Sequence, residues 1–490
     1  MGVKPNIKGE KVMENNRASF GSNFGFIMAA VGSAVGLGNI WGFPYKMGLN
    51  GGFAFLVVYL VLAIFVGLAV MVGEFTIGRK TGMSPVAAYR KLSKKFTWMG
   101  YMAVIVPFLV LCFYFVLGGM VTRYALGYLT AIFGWNTWGV DNIADYFGQF
   151  ICNGGSMILW TAIFIAINAV IVAAGVGGGI EKFCNIGMPC LFVILLIVIV
   201  YVAVQPGAMG GYQFMFGFNI EPLKTDFLTV LKTAAGQMFF SLSLGMGAII
   251  TYGSYLSKKE KIQKNAVIIV IMDTLVAIMA GMIVMPACYA FLDGNTKGGP
   301  GLLFQSMQMV FHNMGGFIGN LMGFLFYFLV FIAAISSSMS LLEALTSSRV
   351  DRNVEAGKAP NRRKIVIVFA ILVAIFALPN ALDGIGAGVA GGATLPTPAE
   401  LFGMTDAVKG WNDCWLDFYD MLSEGILMPV GAMIMAFAIG WIWKMDFVVE
   451  ECESSGCKFW GKAFFNICYK FITPIGMLVV LYGQITSYFF

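Results

Sequence analysis

The sequence predicts an all-α protein embedded in a lipid bilayer. Three observations carry that expectation. Only 11% of the 490 residues are charged, where a soluble domain carries about 25%. Hydrophobic residues make up 59% and the mean hydropathy is +0.82. Aromatic residues reach 15%, a content that intrinsically disordered chains do not show. The net charge of +6 is too small a surplus over so long a chain to suggest nucleic acid. Most of the nine cysteines sit in apolar runs and read as small hydrophobes. Cys452 and Cys457 have neither a second pair nor a nearby histidine, so zinc is not expected. The single histidine, His312, leaves no constellation for a membrane-embedded enzyme and reads as a solvated or capping residue.

About 20 apolar residues cross ~30 Å of hydrocarbon. Stretches of that kind run over 22–46, 52–78, 99–128, 156–176, 186–206, 227–255, 264–292, 317–347, 363–380, 418–443 and 467–489, which predicts eleven spans. The ninth is the shortest. Ahead of the first lies a polar, basic segment, 1–21, without a cleavable leader, so the first span is its own insertion signal. Spans one to five fill 22–206, a loop follows at 207–226, and spans six to ten fill 227–443. That second half carries loops at 293–316 and 381–417, the latter rich in Gly, Pro and Asp. A loop and the eleventh span complete 444–490.

Orientation follows from lysine and arginine. With the N-terminus inside, only Lys46, Arg123, Lys224, Lys232, Lys297 and Lys409 of the 31 basic residues fall outside or at external span ends. That asymmetry is what the positive-inside rule requires. An odd number of spans then leaves the C-terminus external.

Two spans read as broken. Gly32-Ser33-Ala34-Val35-Gly36-Leu37-Gly38-Asn39 interrupts the first and Ser241-Leu242-Ser243-Leu244-Gly245-Met246-Gly247 the sixth. Small residues also suit close helix packing, and either segment alone fits that reading. Corresponding interruptions five spans apart instead suggest two five-helix repeats of opposite orientation, with a binding site at the bilayer midplane. Freed carbonyls there suit Na⁺, and a half-helix N-terminus suits a carboxylate.

These residues carry a resemblance. The run from Arg17 to Gly52, with Ile40-Trp41 and Phe43-Pro44-Tyr45 inside it, resembles the neurotransmitter:sodium symporter family on its bacterial amino-acid-transporting branch. The likeness continues in Gly73-Glu74-Phe75, Gly78-Arg79, Gln237 to Gly247, Ile250-Thr251-Tyr252, Ser336-Ser337-Ser338 and Leu416-Asp417-Phe418-Tyr419-Asp420. It implies an all-α membrane protein of the leucine-transporter fold, with two inverted five-helix repeats, broken helices 1 and 6, and 11 transmembrane helices. The implied activity is sodium-coupled symport of a neutral, hydrophobic or aromatic amino acid by alternating access. A sodium-dependent amino-acid sensor or scaffold that does not transport is the alternative.

The resemblance also implies sites. One Na⁺ would take Ala34, Asn39, Ser241 and the substrate carboxylate, with Asp273 as a built-in anion in place of a required chloride. On the residues alone, Asp273 could equally be a protonated acid bonded to its own helix. A second Na⁺ would take Gly32, Val35, Ala333, Ser336 and Ser337; without the resemblance the serines fit a small packing face. The substrate pocket would use Ser33, Ala34, Gly36, Gly38, Val110, Tyr114, Phe240, Ser241, Ser243, Met246, Ser337 and Leu341. Gly36 stands where monoamine transporters of the family carry an Asp, which favours a substrate bringing its own carboxylate. Arg17 and Asp351, backed by Phe20, Ser254 and Tyr255, would form a cytoplasmic gate. Gly179 and Pro189 would let span five unwind. The departure is Gly42, where the family pattern has Arg; Lys46, one turn on, is expected to replace it opposite Asp420.

Overall fold

The computed structural model describes residues 19–135, 138–140, 143–294, 300–404 and 411–489, and among them every regular element is helical. The long elements, in chain order, are α1 (Asn23–Ala34), α2 (Gly38–Leu49), α3 (Phe53–Thr81), α4 (Lys94–Ile132), α5 (Gly154–Ala173) and α6 (Val176–Ala203). Then come α7 (Phe227–Ser241), α8 (Ala248–Gly253), α9 (Ile262–Phe291), α10 (Gly316–Glu355), α11 (Arg362–Leu382), α12 (Trp415–Ile442) and α13 (Lys462–Phe489). Nine of these, α3 to α6 and α9 to α13, are long and apolar enough to span a bilayer. The pair α1 and α2, bent by 49°, makes a tenth. The elements α7 and α8 have 15 and 6 residues and are separated by residues 242–247.

Both expected interruptions are present, with local causes. The helix α1 stops at Val35, whose φ of −69° and ψ of 110° are extended. After α7 the chain passes through Ser243, Gly245 and Gly247, all at positive φ. A Cβ on Gly247 would lie 2.5 Å from the Ala103 carbonyl oxygen, so the residue is needed both for its conformation and for its closeness to α4.

Two helices begin or continue where the sequence suggested otherwise. The fifth expected span starts at Val176 rather than near 186, because Val176–Ile180 forms a π-helical turn from Gly175, at φ 91°, into α6. The helix also remains wound through Pro189, so the Gly179-to-Pro189 stretch is not unwound here. A proline removes one hydrogen bond from a helix, and neighbouring turns hold the rest.

The core is organised around α4 and α10, the two longest helices, which pack along each other, while α1 lies against α6 and α10. Side-chain bonds gather the lysine-rich connections at one end of the bundle. Arg90 pairs with Glu355 at 2.8 Å, the Ser84 N–H donates to Asp351 at 2.7 Å, and Arg362 donates to the Val172 carbonyl. The helix Asp446–Glu453 closes that end. Its Glu451 accepts from Arg79 at 2.7 Å and from Lys258 at 2.7 Å, and Arg79 also reaches the carbonyls of Glu260 and Glu451.

Arg79 is 3% exposed, so removing its partner leaves a charge with no water to take over. Glu451→Gln should lower stability by about 3–5 kcal/mol, visible as a fall in the melting temperature of the detergent-solubilised protein. A melting temperature unchanged from the parent would show that the backbone carbonyls suffice for Arg79.

Candidate functional site

Where α1 ends, its backbone groups find partners outside the helix. The Gly36 N–H donates to Asn39 Oδ1 at 2.9 Å and the Leu37 N–H to Tyr114 Oη at 2.9 Å. In a continuous helix those donors would occupy the carbonyls of Gly32 and Ser33. The freed Ser33 carbonyl instead accepts from the Ser243 hydroxyl at 2.8 Å and the Ser337 hydroxyl at 2.9 Å. The Val35 carbonyl accepts from Ser337 at 3.3 Å and Ser336 at 3.4 Å, and Ser336 also bonds the Ala333 carbonyl at 3.0 Å. A Cβ on Gly32 would sit 3.1 Å from Ser336 Cβ, so Gly32 lies against the same group. This is an all-oxygen set of carbonyls and hydroxyls, the donor chemistry of a hard monovalent cation and not of a transition metal.

A second cluster lies where α2, α7 and α9 meet. Asn39 Nδ2 donates to Ser241 Oγ at 2.8 Å and to the Asp273 side chain and carbonyl at 2.7 and 3.2 Å. Ser241 Oγ donates to Asp273 Oδ2 at 2.8 Å, and Tyr59 Oη approaches both at 3.4 Å. Asp273 is fully buried, and all three of these partners are neutral. Ala34, beside this cluster in the chain, is buried. Tyr59 was not legible beforehand, because a tyrosine in an apolar span looks like any core aromatic until the facing helix is known.

Between the clusters lie the residues expected to line a pocket. A Cβ on Gly36 would stand 2.5 Å from Tyr114 Oη and 3.0 Å from Ser337 Cβ, and one on Gly38 would stand 2.6 Å from the Phe240 ring. Both glycines therefore bring α2 close to α4, α7 and α10. The Phe240 ring lies 6.4 Å from those of Tyr114 and Phe113. Val110, Met246 and Leu341 are buried. The Ser33 hydroxyl is buried without a hydrogen-bond partner, and an orphaned polar group in such a place points to a missing ligand or water.

Between α7 and α8, Glu74 of α3 accepts from the Gly245 N–H at 2.7 Å, which gives the exposed backbone of the break a partner. At the lysine-rich end, Phe20 stacks edge-on against Phe26, Tyr252 and Tyr255. Tyr255 donates to Glu343 at 2.6 Å, and Arg362 pairs with the same carboxylate. Glu74 entered the sequence reading only as part of a motif, and Glu343 and Arg362 had no role there. The expected partner of Asp351, Arg17, lies outside the described residues.

At the opposite end the expectation for Lys46 needs correction. Its ammonium pairs with Glu424 Oε1 at 2.5 Å, not with Asp420, which lies one turn earlier on the same helix. Glu424 lies inside a π-helical turn, Met421–Leu427, four residues after Asp420 and so on nearly the same side of α12. The place above Gly42 is taken by Gln237, whose Oε1 would lie 2.9 Å from an added Cβ. Gln237 Nε2 donates to the Gly38 carbonyl at 2.8 Å, while its buried Oε1 has no partner.

The profile of the sodium:neurotransmitter symporter family matches residues 17–149 and 146–385. The chain is 31% identical over 482 residues to the uncharacterized sodium-dependent transporter YhdH of Bacillus subtilis, covering 96% of this chain and 98% of that protein. It is 30% identical to an uncharacterized sodium-dependent transporter of Methanocaldococcus jannaschii over 89% of this chain and 84% of the other. Among solved structures, the crystal structure of MhsT in complex with L-phenylalanine superposes with a TM-score of 0.83 at 34% identity, over 96% of this chain and 100% of that one.

The geometry ranks the contributions around Asp273. Asn39→Ala removes short bonds to a buried carboxylate and should cost about 1–3 kcal/mol, whereas Tyr59→Phe removes only long contacts and should cost less than about 1 kcal/mol. Melting curves of the two variants in one detergent would decide. Equal losses would make Tyr59 as strong a partner as Asn39.

Proposed function

The chain belongs to the sodium:neurotransmitter symporter family, and from that premise we propose that it imports a neutral amino acid together with Na⁺ by alternating access. The carrying observation is the juxtaposition of two broken helices around Asp273 and the freed carbonyls of α1. A carboxylate in an apolar bundle is costly unless it is compensated, and the partners of Asp273 supply hydrogen bonds but no positive charge. A bound cation would supply it.

Two Na⁺ ions are proposed as cargo. One would lie at Ala34, Asn39, Ser241 and Asp273, and the other at Gly32, Val35, Ala333, Ser336 and Ser337. The serine hydroxyls now donate to carbonyl oxygens; rotated away, the same oxygens become ligands. Because Asp273 is itself the anion, chloride is not required. The amino acid would place its carboxylate toward Tyr114 and the first ion, with its side chain among Val110, Phe240, Met246 and Leu341. Those side chains carry no charge, and the similar MhsT structure is a complex with L-phenylalanine, so an apolar or aromatic substrate fits.

The finer architecture belongs to the same proposal. Counting α1 with α2 and α7 with α8 as broken spans gives eleven, with spans one to five and six to ten as inverted repeats. The lysine-rich end would face the cytoplasm, placing the N-terminus inside and the C-terminus outside in a bacterial plasma membrane. Lys46, Glu424 and Asp420 would then form the external closure, with Glu343, Arg362, Tyr255 and Asp351 on the cytoplasmic side.

Purified protein in liposomes should concentrate labelled phenylalanine or leucine only under an inward Na⁺ gradient, and equally well when chloride is replaced by gluconate. Ser336→Ala with Ser337→Ala should raise the Na⁺ concentration for half-maximal binding while leaving insertion intact. Uptake that needs chloride, or a sodium midpoint unmoved by the double substitution, would reject these assignments.

The external closure can be tested separately. Lys46→Ala and Glu424→Gln should each raise the substrate concentration for half-maximal uptake. Together they should be non-additive by about 0.5–3 kcal/mol in a double-mutant cycle, while Lys46→Ala with Asp420→Asn should couple less. The reverse ranking would return the pairing to Asp420.

A further inference from the structure

The lysine-rich end holds a cavity of ≈ 670 Å³ between α12 and α13, well away from the broken helices. Its walls include Trp441, Lys444, Asp446, Lys462, Asn466 and Lys470. Three lysines face one aspartate. Asp446 is already paired with Lys462 at 2.8 Å, which leaves Lys444 and Lys470 as the main source of uncompensated positive charge. Lys470 lies with its ammonium 5.2 Å from the Trp441 ring, a contact that holds the charge in place without neutralising it.

Two π-helical turns meet beside the cavity. Both helices carry a π-helical turn at the same level, Ala438–Ile442 in α12 and Cys468–Ile472 in α13, and these two turns contact each other. A π turn inserts an extra residue into a helix and is found mostly at functional positions. Gly440 lets the turns meet, since a Cβ there would stand 3.0 Å from the Tyr469 carbonyl and from Lys470 Cγ. Beyond this contact α12 ends at Ile442, and Lys444, a non-glycine residue at φ 64°, lies in the turn that leads into Asp446–Glu453.

The surroundings indicate the ligand. Beside the cavity, Trp441, Ile442, Ile467 and Phe471 are each about half exposed, on spanning helices where only acyl chains would cover them. A mouth that is cationic on its inner wall and bordered by bare apolar side chains matches an anionic phospholipid, with the phosphate among the lysines and the tails along the helices. Lysine-rich pockets at the cytoplasmic ends of membrane helices recognise such headgroups.

We propose that this cavity is a binding site for an anionic phospholipid headgroup, held by Lys444 and Lys470 with Trp441 and Asn466 at its edge. Orientation enters only in assigning the lipid to the cytoplasmic leaflet, so the site does not depend on the transport reading. The test uses the full chain, delipidated in detergent, with melting temperature followed during titration with phosphatidylglycerol, phosphatidylcholine or inorganic phosphate. Phosphatidylglycerol should raise the melting temperature saturably and the other two should not. Lys444→Gln with Lys470→Gln should weaken the apparent phosphatidylglycerol affinity roughly ten- to thirtyfold. Lys358→Gln with Lys364→Gln, which removes the same charge elsewhere at that end, should leave it unchanged. If the first pair does not fold, each single substitution should weaken binding several-fold. Equal responses to both lipids, an equal response to inorganic phosphate, or equal losses in the control pair would each overturn the proposal.

Discussion

A helix interrupted inside a bilayer leaves donors and acceptors that cannot turn to water, and the architecture of this chain follows from satisfying them. At the end of α1, two N–H groups are taken by Asn39 and Tyr114. The carbonyls this releases draw in Ser243 from the other break and Ser336 and Ser337 from α10. Between α7 and α8, Glu74 takes the Gly245 N–H. Every element that supplies one of these partners is thereby fixed around the centre, which explains why the polar side chains of so apolar a chain concentrate there.

The charge inside that centre has a different logic. Asp273 is held by three neutral groups, an arrangement that orients a carboxylate without neutralising it. A lysine or arginine at that point would bring positive charge permanently, and a cation would have no reason to enter. On the proposed reading, oxygen ligands of moderate strength leave the compensation to an ion that arrives and departs.

The ends of the bundle are treated otherwise. There, cations and carboxylates meet directly: Lys46 with Glu424, Arg362 with Glu343, Arg79 with Glu451. The first joins α2 to α12, the second joins α11 to α10, and the third fastens Asp446–Glu453 to α3. Removing one member of a buried pair costs far more than forming the pair gains. Such links therefore fasten one element to another at the ends, while the centre is held by neutral serine, carbonyl and amide hydrogen bonds.

The sequence by itself determined what depends on local composition. Runs of apolar residues set the long helices, the distribution of lysine marked one end, and clustered Gly and Ser marked both breaks. The family likeness grouped Asn39, Ser241 and Asp273, which the folded chain joins by hydrogen bonds. Tertiary structure decided whatever depends on the rotational phase of one helix against another. Tyr59 and Glu74 face the centre because of how α3 is turned, which no apolar run records. Glu424 and not Asp420 meets Lys46, a choice between two acids one turn apart on the same helix. The cavity between α12 and α13 likewise depends on how the two helices pack, with a π-helical turn of each against the other. Hydropathy is the same whichever way a helix is turned, so the neighbour that each side chain meets is decided only when the helices pack.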